Sequence, residues 1–250
     1  MLLIQRCIRL REFFSETKID GVIHLASKFL VNHNTNDIND LINSNILFST
    51  QLLELSCKNN LKWFINTGTF WQHYNNSDYT PVNLYSATKQ AFESIAKFYT
   101  ETYNIRFTTL KLNDTYGAND TRAKIFNLWL KSSNNNETLD MSLGEQLMDI
   151  VYIDDVVQAY IELVNWINNT SNDLESSYYI SSGNLISLRK LSILFEESTG
   201  KKLNINWGAR EYRQREVMKP SCKGAIVPNW EPKISFKEGI NKVIDTLKDK

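Results

Sequence analysis

The segment Tyr85–Lys89, with the sequence YSATK, places a phenol and an ammonium four residues apart. On a helix this spacing puts both side chains on one face, one turn from each other. A free tyrosine titrates at about pH 10, so a phenol that exchanges protons at neutral pH needs a cation that stabilises its phenolate. Tyr85 and Lys89 are therefore a candidate proton-transfer pair. The alternative is that they are neighbours on a helix surface.

Two threonines lie just upstream, where a short apolar run ends. Residues Leu61–Ile65 predict a strand, and Thr67 and Thr69 follow it. Open α/β sheets bind ligands at the carboxyl ends of their strands, so we expect Thr67 to donate a hydrogen bond to a substrate oxygen and Thr69 to contact the substrate. The alternative is that both threonines only end a strand and begin a turn.

The elements around these residues alternate between strand and helix. Gly21–Leu25 is typical of a strand buried on both faces, and Ile105–Leu112 of a further strand. Ile38–Leu55 and Tyr85–Tyr103 have mostly helical spacing of their apolar residues. The short connections favour an α/β fold with a doubly wound parallel sheet covered by helices on both faces.

The order of the elements changes after Gly117. The pattern predicts a helix at Ile125–Leu130, a strand at Asp149–Ile153, a helix to Trp166 with Asp154 or Asp155 as N-cap, a strand at Tyr178–Ile180, a helix at Leu188–Ser198 closed by Gly200, a strand at Leu203–Asn206 and a helix at Phe236–Leu247. These elements predict a smaller α/β part in the carboxyl-terminal half.

Composition limits the classes of function. The 250 residues, 42% of them hydrophobic, are enough for a sizeable core. The 28 basic and 28 acidic residues cancel, so no strong overall field directs the chain to nucleic acid or to an anionic membrane. Cys7, Cys57 and Cys222 are widely separated, which favours reduced thiols in a cytoplasmic protein and no metal site. Residues Met1–Glu16 contain no apolar run that suits a signal peptide or membrane span.

Six motifs, in order, resemble the extended short-chain dehydrogenase/reductases, also called the NAD-dependent epimerase/dehydratase family. They are His24–Ser27 after a strand, Asn45 in the next helix, Thr67–Trp71, Tyr85–Lys89, Asp114–Gly117 and Asp149–Val156. The resemblance covers nearly the whole chain. It implies a Rossmann-like fold, an enzymatic activity, NAD(P) as cofactor and a nucleotide sugar as substrate.

The resemblance also implies roles for individual residues. Tyr85 would be the catalytic acid/base, Lys89 its partner and a ligand of the cofactor ribose, and Thr67 the hydroxyl that orients the sugar oxygen. The residues expected along the cofactor are Leu25, Ala26 and Ser27. Asn45 matches an asparagine that is structural or close to the active-site lysine. Asp114 stands where the family more often has Asn, at a position that contacts the substrate.

The stretch Asn206–Met218 is similar to that of the reductases that make CDP-3,6-dideoxyhexoses, the abequose and paratose synthase type. Its arginines, of which we select Arg210 and above all Arg213, can offer planar guanidinium groups to a diphosphate. A solvated basic loop is the alternative. We therefore expect residues 1–117 to form an incomplete NAD(P)-binding Rossmann domain, and residues 118–250 a mainly substrate-binding part from which 145–166 return to the first domain.

The resemblance favours a reductase that acts on a CDP-4-keto-3,6-dideoxyhexose, in dideoxysugar synthesis for a surface polysaccharide such as the O-antigen of lipopolysaccharide. A sugar-nucleotide 4-epimerase and a non-catalytic remnant are the alternatives. Dehydratases of this family usually carry an acidic pair after the active-site threonine, whereas Gly68 and Thr69 follow Thr67. A homodimer formed through the Ile38–Leu55 and Tyr85–Tyr103 helices is also expected from the resemblance.

The nine glycines are scattered singly, so the glycine-rich turn that lets a backbone approach a dinucleotide pyrophosphate is not found in this sequence. From the family pattern we expect the first strands of the sheet to be missing as well, through a misplaced start or gene decay.

We therefore predict poor solubility and weak or absent NAD(P) binding for the chain, because the usual anchor of the cofactor phosphates is not found. Titration of the purified protein with NADPH, followed by nicotinamide fluorescence, measures the affinity. Binding in the micromolar range would contradict the prediction.

Overall fold

The computed structural model describes residues 10–120 and 124–248, so Cys7 lies outside the described residues. The strands are β1 (Gly21–His24), β2 (Trp63–Thr69), β3 (Arg106–Leu112), β4 (Asp114–Tyr116), β5 (Thr138–Met141), β6 (Leu147–Met148), β7 (Ile150–Tyr152), β8 (Ser177–Ile180), β9 (Ile186–Ser187), β10 (Asn204–Trp207) and β11 (Ala225–Ile226). The helices are α1 (residues 10–16), α2 (Ile38–Ile42), α3 (Phe48–Lys58), α4 (Leu84–Thr102), α5 (Ile125–Asn135), α6 (Ile153–Asn169), α7 (Leu188–Thr199) and α8 (Phe236–Lys248).

The described chain divides into two compact units. The first unit contains the residues up to Leu112 together with Asn165–Tyr179 and Lys223–Ile226, and the second contains Asn113–Val164, Ile180–Cys222 and Val227–Lys250. The later segments that belong to this first compact unit are thus 165–179 and 223–226. The expected division into a cofactor-binding part, 1–117, and a substrate-binding part, 118–250, from which 145–166 return, stays a prediction.

The first unit is built on a five-stranded sheet in the order β1-β2-β3-β8-β11. The pairs β1–β2, β2–β3 and β8–β11 are parallel. On one face, Phe64 of β2 packs against Phe92 of α4 and stacks on Phe107 of β3. On the other face, the Trp63 indole donates a hydrogen bond of 3.1 Å to Asn168 at the end of α6. The predicted α/β fold, a parallel sheet with helices on both faces, is confirmed.

The first strand differs from the expectation. Gly21 and Val22 are half-buried, and Ile23 is 39% exposed, so the prediction of a strand buried on both faces was wrong. Within the described residues β1 pairs with β2 on one side only, which leaves part of its apolar surface open to solvent.

The predicted Ile38–Leu55 helix is present but contains one turn of π-helix. Residues Asn43–Leu47 form this wider turn between α2 and α3, and Asn45 at its centre is buried. π-turns of this kind are rare and occur often at functional sites. Apolar spacing alone could not reveal it, because the flanking helices keep the ordinary period.

The second unit contains three two-stranded sheets, of which β4–β7 and β5–β10 are parallel and β6–β9 is antiparallel. A core of Tyr116, Phe126, Trp129 and Phe195 holds these elements together. Helix α7 ends at Gly200, which has φ +68° as expected for a helix C-cap. No helix within the two described ranges is long and apolar enough to cross a membrane.

The prediction of Asp154 or Asp155 as an N-cap was wrong, because both lie inside the first turn of α6. The Asp155 carboxylate accepts a hydrogen bond from the backbone N–H of Ile234, and Asp154 pairs with Lys242 of α8. Both carboxylates therefore hold the carboxyl-terminal segment and do not cap the helix.

His24 is a buried titratable group of the first unit, and we expect it to affect stability in acid. The ring is 2% exposed, and its Nε2 lies 2.8 Å from the Ser49 hydroxyl. Burial, reinforced by the Lys89 charge, lowers the pKa of His24 to about 4. The unfolded chain therefore binds a proton that the fold excludes, and stability falls as the pH drops from about 6.5 to about 4.

We predict that His24 accounts for a loss of about 3 kcal/mol of unfolding free energy across this pH window, and that His24→Gln removes this contribution. Urea unfolding at pH 7 and at pH 4 measures the difference. The exposed His33 provides the control, since His33→Gln should keep the wild-type pH dependence. An unchanged acid loss in His24→Gln would refute the assignment.

Candidate active site

Tyr85 lies in the first turn of α4, whose start is fixed by Asn83. The Asn83 side chain accepts a hydrogen bond from the Ser86 N–H at 3.0 Å, and the Ser86 hydroxyl accepts from the Asn83 N–H at 3.1 Å. This reciprocal cap satisfies two of the free N–H groups at the helix start. The Asn83 amide also donates to the backbone oxygens of Leu30 and Val31. The helix start is thus tied to the loop that follows β1.

The aromatic ring of Phe29, in the same loop, lies against the tyrosine. Its centroid is 5.0 Å from that of Tyr85, edge to face, and 5.8 Å from that of Trp71. Trp71 follows Thr67 by four residues. Phe29 therefore contacts both the start of α4 and the segment that leaves β2, and it brings Tyr85 close to the carboxyl end of the sheet.

Lys89, one turn after Tyr85, is the most unusual charged group of the first unit. It is 2% exposed, and burial lowers the pKa of its ammonium to about 8, against an opposing effect of the Glu93 charge. Among the described residues, its ammonium has no hydrogen bond or ion pair with the protein. Burial of an ammonium is costly unless an acceptor compensates for the lost hydration, and the expected contact of Lys89 with a cofactor stays a prediction.

Asn45 links the loop after β1 to the helix that carries Lys89. Its side-chain oxygen accepts from the Lys28 N–H at 2.8 Å and from the Ser27 hydroxyl at 3.1 Å. Its amide donates to the Lys28 oxygen at 3.0 Å and to the Thr88 hydroxyl at 2.9 Å. Every hydrogen-bonding direction of this buried side chain is thus used. The expectation that Asn45 is structural and close to Lys89 agrees with these contacts.

The residues expected along the cofactor lie in this loop. Leu25, Ala26 and Ser27 are exposed, Leu25 by 60%. Because Asn45 fixes the backbone at Lys28, the loop is held in place although its side chains face outwards. Its contact with a cofactor stays a prediction.

The two threonines occupy different environments. Thr67 is half-buried in β2, in register with Leu110 of β3. Thr69 is buried, and its hydroxyl accepts from the Trp71 N–H at 3.3 Å as the N-cap of the following 3-10 turn. Thr69 therefore performs the turn-starting role that the sequence left open as an alternative, and its contact with a substrate stays a prediction.

The other expected substrate residues belong to the second unit. Burial raises the pKa of Asp114 to about 6, and the charges of Lys124 and Arg213 oppose the shift. Arg213 thus lies close enough to Asp114 to affect its charge. Arg210 is exposed, and its backbone N–H donates to Met141. Asp114 and Arg213 therefore lie within electrostatic range of each other. Their contact with a substrate stays a prediction.

Sequence reasoning missed Phe29, Gln72 and Glu93. Phe29 contacts the candidate acid, and Gln72 donates a hydrogen bond of 2.8 Å to Glu93. The spacing of Glu93, four residues after Lys89, was the available signal. Among the described residues, no group of three His, Cys, Asp or Glu side chains is arranged to hold a metal ion.

The unpartnered ammonium of Lys89 predicts a distinctive pH dependence of stability. Between about pH 8 and pH 10.5 Lys89 holds its proton in the unfolded chain more tightly than in the fold, so its contribution to stability rises across this window. In the absence of ligand and below pH 8, we expect the unfolding free energy of Lys89→Met to exceed that of the wild type by on the order of 3 kcal/mol. This difference should vanish above pH 10.5.

Chemical denaturation at pH 7 and pH 10.5 measures this gain. Lys97→Met, at an exposed position of the same helix, is the matched control and should show no comparable gain. A Lys89→Met protein that is less stable than the wild type at pH 7 would show that the ammonium has an acceptor within the protein.

Comparison with known proteins identifies the family. The sequence pattern of the NAD dependent epimerase/dehydratase family matches residues 4–174. CDP-abequose synthase of Salmonella muenchen is 29% identical over 92% of this chain and 78% of its own length. CDP-abequose synthase of Yersinia pseudotuberculosis is 30% identical over 85% of this chain and 76% of its own length.

Solved structures show the same fold. A UDP-glucose 4-epimerase of Thermotoga maritima, crystallised with UDP-glucose, has a TM-score of 0.82 and 23% identity over 97% of this chain and 82% of its own. A UDP-glucuronic acid 4-epimerase of Bacillus cereus, in complex with UDP-glucuronic acid and NAD, has a TM-score of 0.82 and 20% identity over 96% and 78%. The family match covers more than half of the chain, and the chain therefore belongs to the NAD dependent epimerase/dehydratase family of sugar-nucleotide enzymes.

Proposed function

We propose that this protein is an NAD(P)-dependent reductase that acts on the C4 carbonyl of a CDP-4-keto-3,6-dideoxyhexose. The observation that carries the proposal is the buried Lys89 ammonium, one helical turn from Tyr85 and without a protein acceptor among the described residues. The two relatives that are 29% and 30% identical, both named CDP-abequose synthase, support the choice of substrate.

The residues around Lys89 fit the ribose end of a nicotinamide cofactor. A ribose offers hydroxyl oxygens, which are the acceptors that the buried ammonium lacks. The exposed loop Leu25–Ser27, held by Asn45, lies in the same unit and offers a fixed surface. When bound, the nicotinamide supplies the hydride that reduces C4 of the sugar.

The protein residues handle the proton. Reduction of the carbonyl leaves a negative charge on the C4 oxygen, and the Tyr85 phenol donates its proton to that oxygen. The Lys89 ammonium stabilises the phenolate that remains, since an opposite charge nearby lowers the pKa of a phenol. Thr67 donates a hydrogen bond to the same sugar oxygen and orients the carbonyl.

The packing at Gly68 argues against dehydration. A Cβ placed there would lie 2.6 Å from the Thr109 methyl carbon, 2.7 Å from the Gln72 side-chain oxygen and 3.0 Å from Cγ of Lys111. The first acidic residue that dehydratases usually carry after the active-site threonine would fall on this position. The site as built leaves no room for that carboxylate, which favours reduction or epimerisation.

Other parts of the proposal rest on the family alone. We propose Arg213 for the substrate diphosphate and Asp114 for the sugar, with Arg210 as a further contact. We also propose a cytoplasmic homodimer that takes part in the synthesis of dideoxysugars for a surface polysaccharide, by likeness to the relatives named above.

The reductase activity is tested by NADPH oxidation with the CDP-4-keto-3,6-dideoxyhexose, at millimolar NADPH. We expect Tyr85→Phe to lower kcat by about 10²–10⁴-fold, because the proton donor is lost. Thr67→Val should lower kcat by about 10²–10³-fold, because a donor to the developing charge is lost. Tyr79→Phe, at an exposed position, is the control and should retain wild-type activity.

The products separate the alternatives. Conversion of a sugar nucleotide to its C4 epimer without net NADPH consumption, followed by NMR, would replace the reductase with an epimerase. Absence of either reaction at millimolar NADPH would favour a non-catalytic protein.

A further inference from the structure

Glu93 occupies the face of α4 that carries the candidate catalytic pair. Tyr85, Lys89 and Glu93 are spaced four residues apart, so they lie one above another along the helix. Glu93 is half-buried, and its carboxylate accepts hydrogen bonds from the amides of Gln72 at 2.8 Å and Gln90 at 3.4 Å. These contacts fix its position one turn beyond Lys89.

Gln72 connects Glu93 to the end of β2. Gln72 is fully buried, and its side-chain oxygen accepts from the Thr69 N–H at 2.9 Å. Its amide nitrogen donates to Glu93 and to Gln90, the latter at 2.9 Å. Because Thr69 follows Thr67 by two residues, this buried amide links the strand end that carries Thr67 to the third turn of α4.

Glu93 also provides negative charge near two buried ammonium groups. Besides Lys89, the first unit buries Lys111, whose Nζ lies 2.6 Å from Nε2 of His73. Burial lowers the pKa of both lysines, and the Glu93 charge raises both. His73 itself has a pKa lowered by burial and by Lys111, so it offers little positive charge of its own.

The other groups packed near Lys89 cannot take this role. His24 of β1 is a buried neighbour whose pKa the Lys89 charge helps to lower. Asn45 and Thr88 bond to each other and carry no charge. Glu93 is the acidic side chain that opposes the burial of the Lys89 ammonium.

We propose that Glu93 is a positioning residue for the reaction. Its carboxylate keeps the buried Lys89 protonated, and its hydrogen bond to Gln72 fixes the end of β2 relative to α4. The inference rests on the proposed function, since Lys89 must be an ammonium to stabilise the Tyr85 phenolate. A purely structural role would require the hydrogen bonds of Glu93 but not its charge.

The test separates the charge from the hydrogen bonds. Glu93→Gln removes the charge and keeps an oxygen that can accept from Gln72. The pKa of Lys89 is followed by NMR of protein labelled with ¹³Cε-lysine, with the signal assigned by its loss in Lys89→Met. We expect the pKa of Lys89 to fall in Glu93→Gln and to remain unchanged in Glu101→Gln, an exposed position on the same helix that pairs with Lys97.

Kinetics provide the second readout. We expect the loss of kcat at high pH to begin at lower pH in Glu93→Gln, so that the variant is impaired about tenfold more at pH 9 than at pH 7. Glu93→Asp, which keeps the charge, should restore the wild-type pH profile. Gln72→Met should lower kcat equally at all pH values and leave the pKa of Lys89 unchanged.

Each outcome decides one point. An unchanged pKa of Lys89 in a folded Glu93→Gln protein would overturn the electrostatic role, and pH-independent losses in both variants would reduce Glu93 to a structural link. If Glu93→Gln fails to fold, Glu93→Ala, which also removes the charge, is measured in its place, and Gln72→Met tests the loss of the hydrogen bond with the charge retained. An inactive wild type would contradict the proposed function, whereas the NMR measurement would still decide whether Glu93 acts on Lys89.

Discussion

The burial of one ammonium group governs the arrangement of the first unit. Lys89 is 2% exposed, burial disfavours the charged form of its side chain, and the charge of Glu93 opposes this effect. Asn45 fixes the adjacent loop, Asn83 fixes the start of the helix, and Glu93 supplies negative charge one turn away. The proposed function assigns the missing acceptor of this ammonium to a bound cofactor.

The same elements show how an α/β fold turns local sequence into a site. The π-turn at Asn43–Leu47 directs Asn45 towards both the loop after β1 and the hydroxyl of Thr88. The loop in turn presents Phe29 to the ring of Tyr85. A strand end, a loop and a helix start are thereby joined by side chains that have no proposed part in the chemistry. These contacts fix the start and the second turn of the helix that carries Tyr85 and Lys89.

Much of this arrangement could be predicted from the sequence. The helix that carries Tyr85 and Lys89, the parallel sheet and the carboxyl-terminal helices follow from apolar spacing and from cap residues such as Gly200. The π-turn could not be predicted from the sequence, because a single wider turn hardly disturbs the helical spacing of the apolar residues. Asp154 and Asp155 suggested an N-cap because aspartate is common at that position. The actual partner of Asp155, the backbone N–H of Ile234, is distant in sequence and is brought close only by the tertiary structure.

The hydrogen bond between Gln72 and Glu93 could not be predicted from the sequence either. A lone glutamine after a strand and a glutamate inside a helix have ordinary sequence explanations, and only the fold shows that they meet. Likewise, the exposure of Ile23 depends on which strands pair with β1, which an apolar run of four residues does not encode. Local patterns thus determined the elements, whereas contacts between distant segments determined the surroundings of Lys89.

The tight packing at position 68 constrains how this protein can diverge. A side chain at this position would meet Lys111, Thr109 and Gln72, because a Cβ there lies within 3.0 Å of an atom of each. Gln72 is also the residue that joins the strand end to Glu93. A replacement of Gly68 would therefore disturb the same buried amide that fixes Glu93, so the identity of residue 68 and the surroundings of Lys89 are coupled.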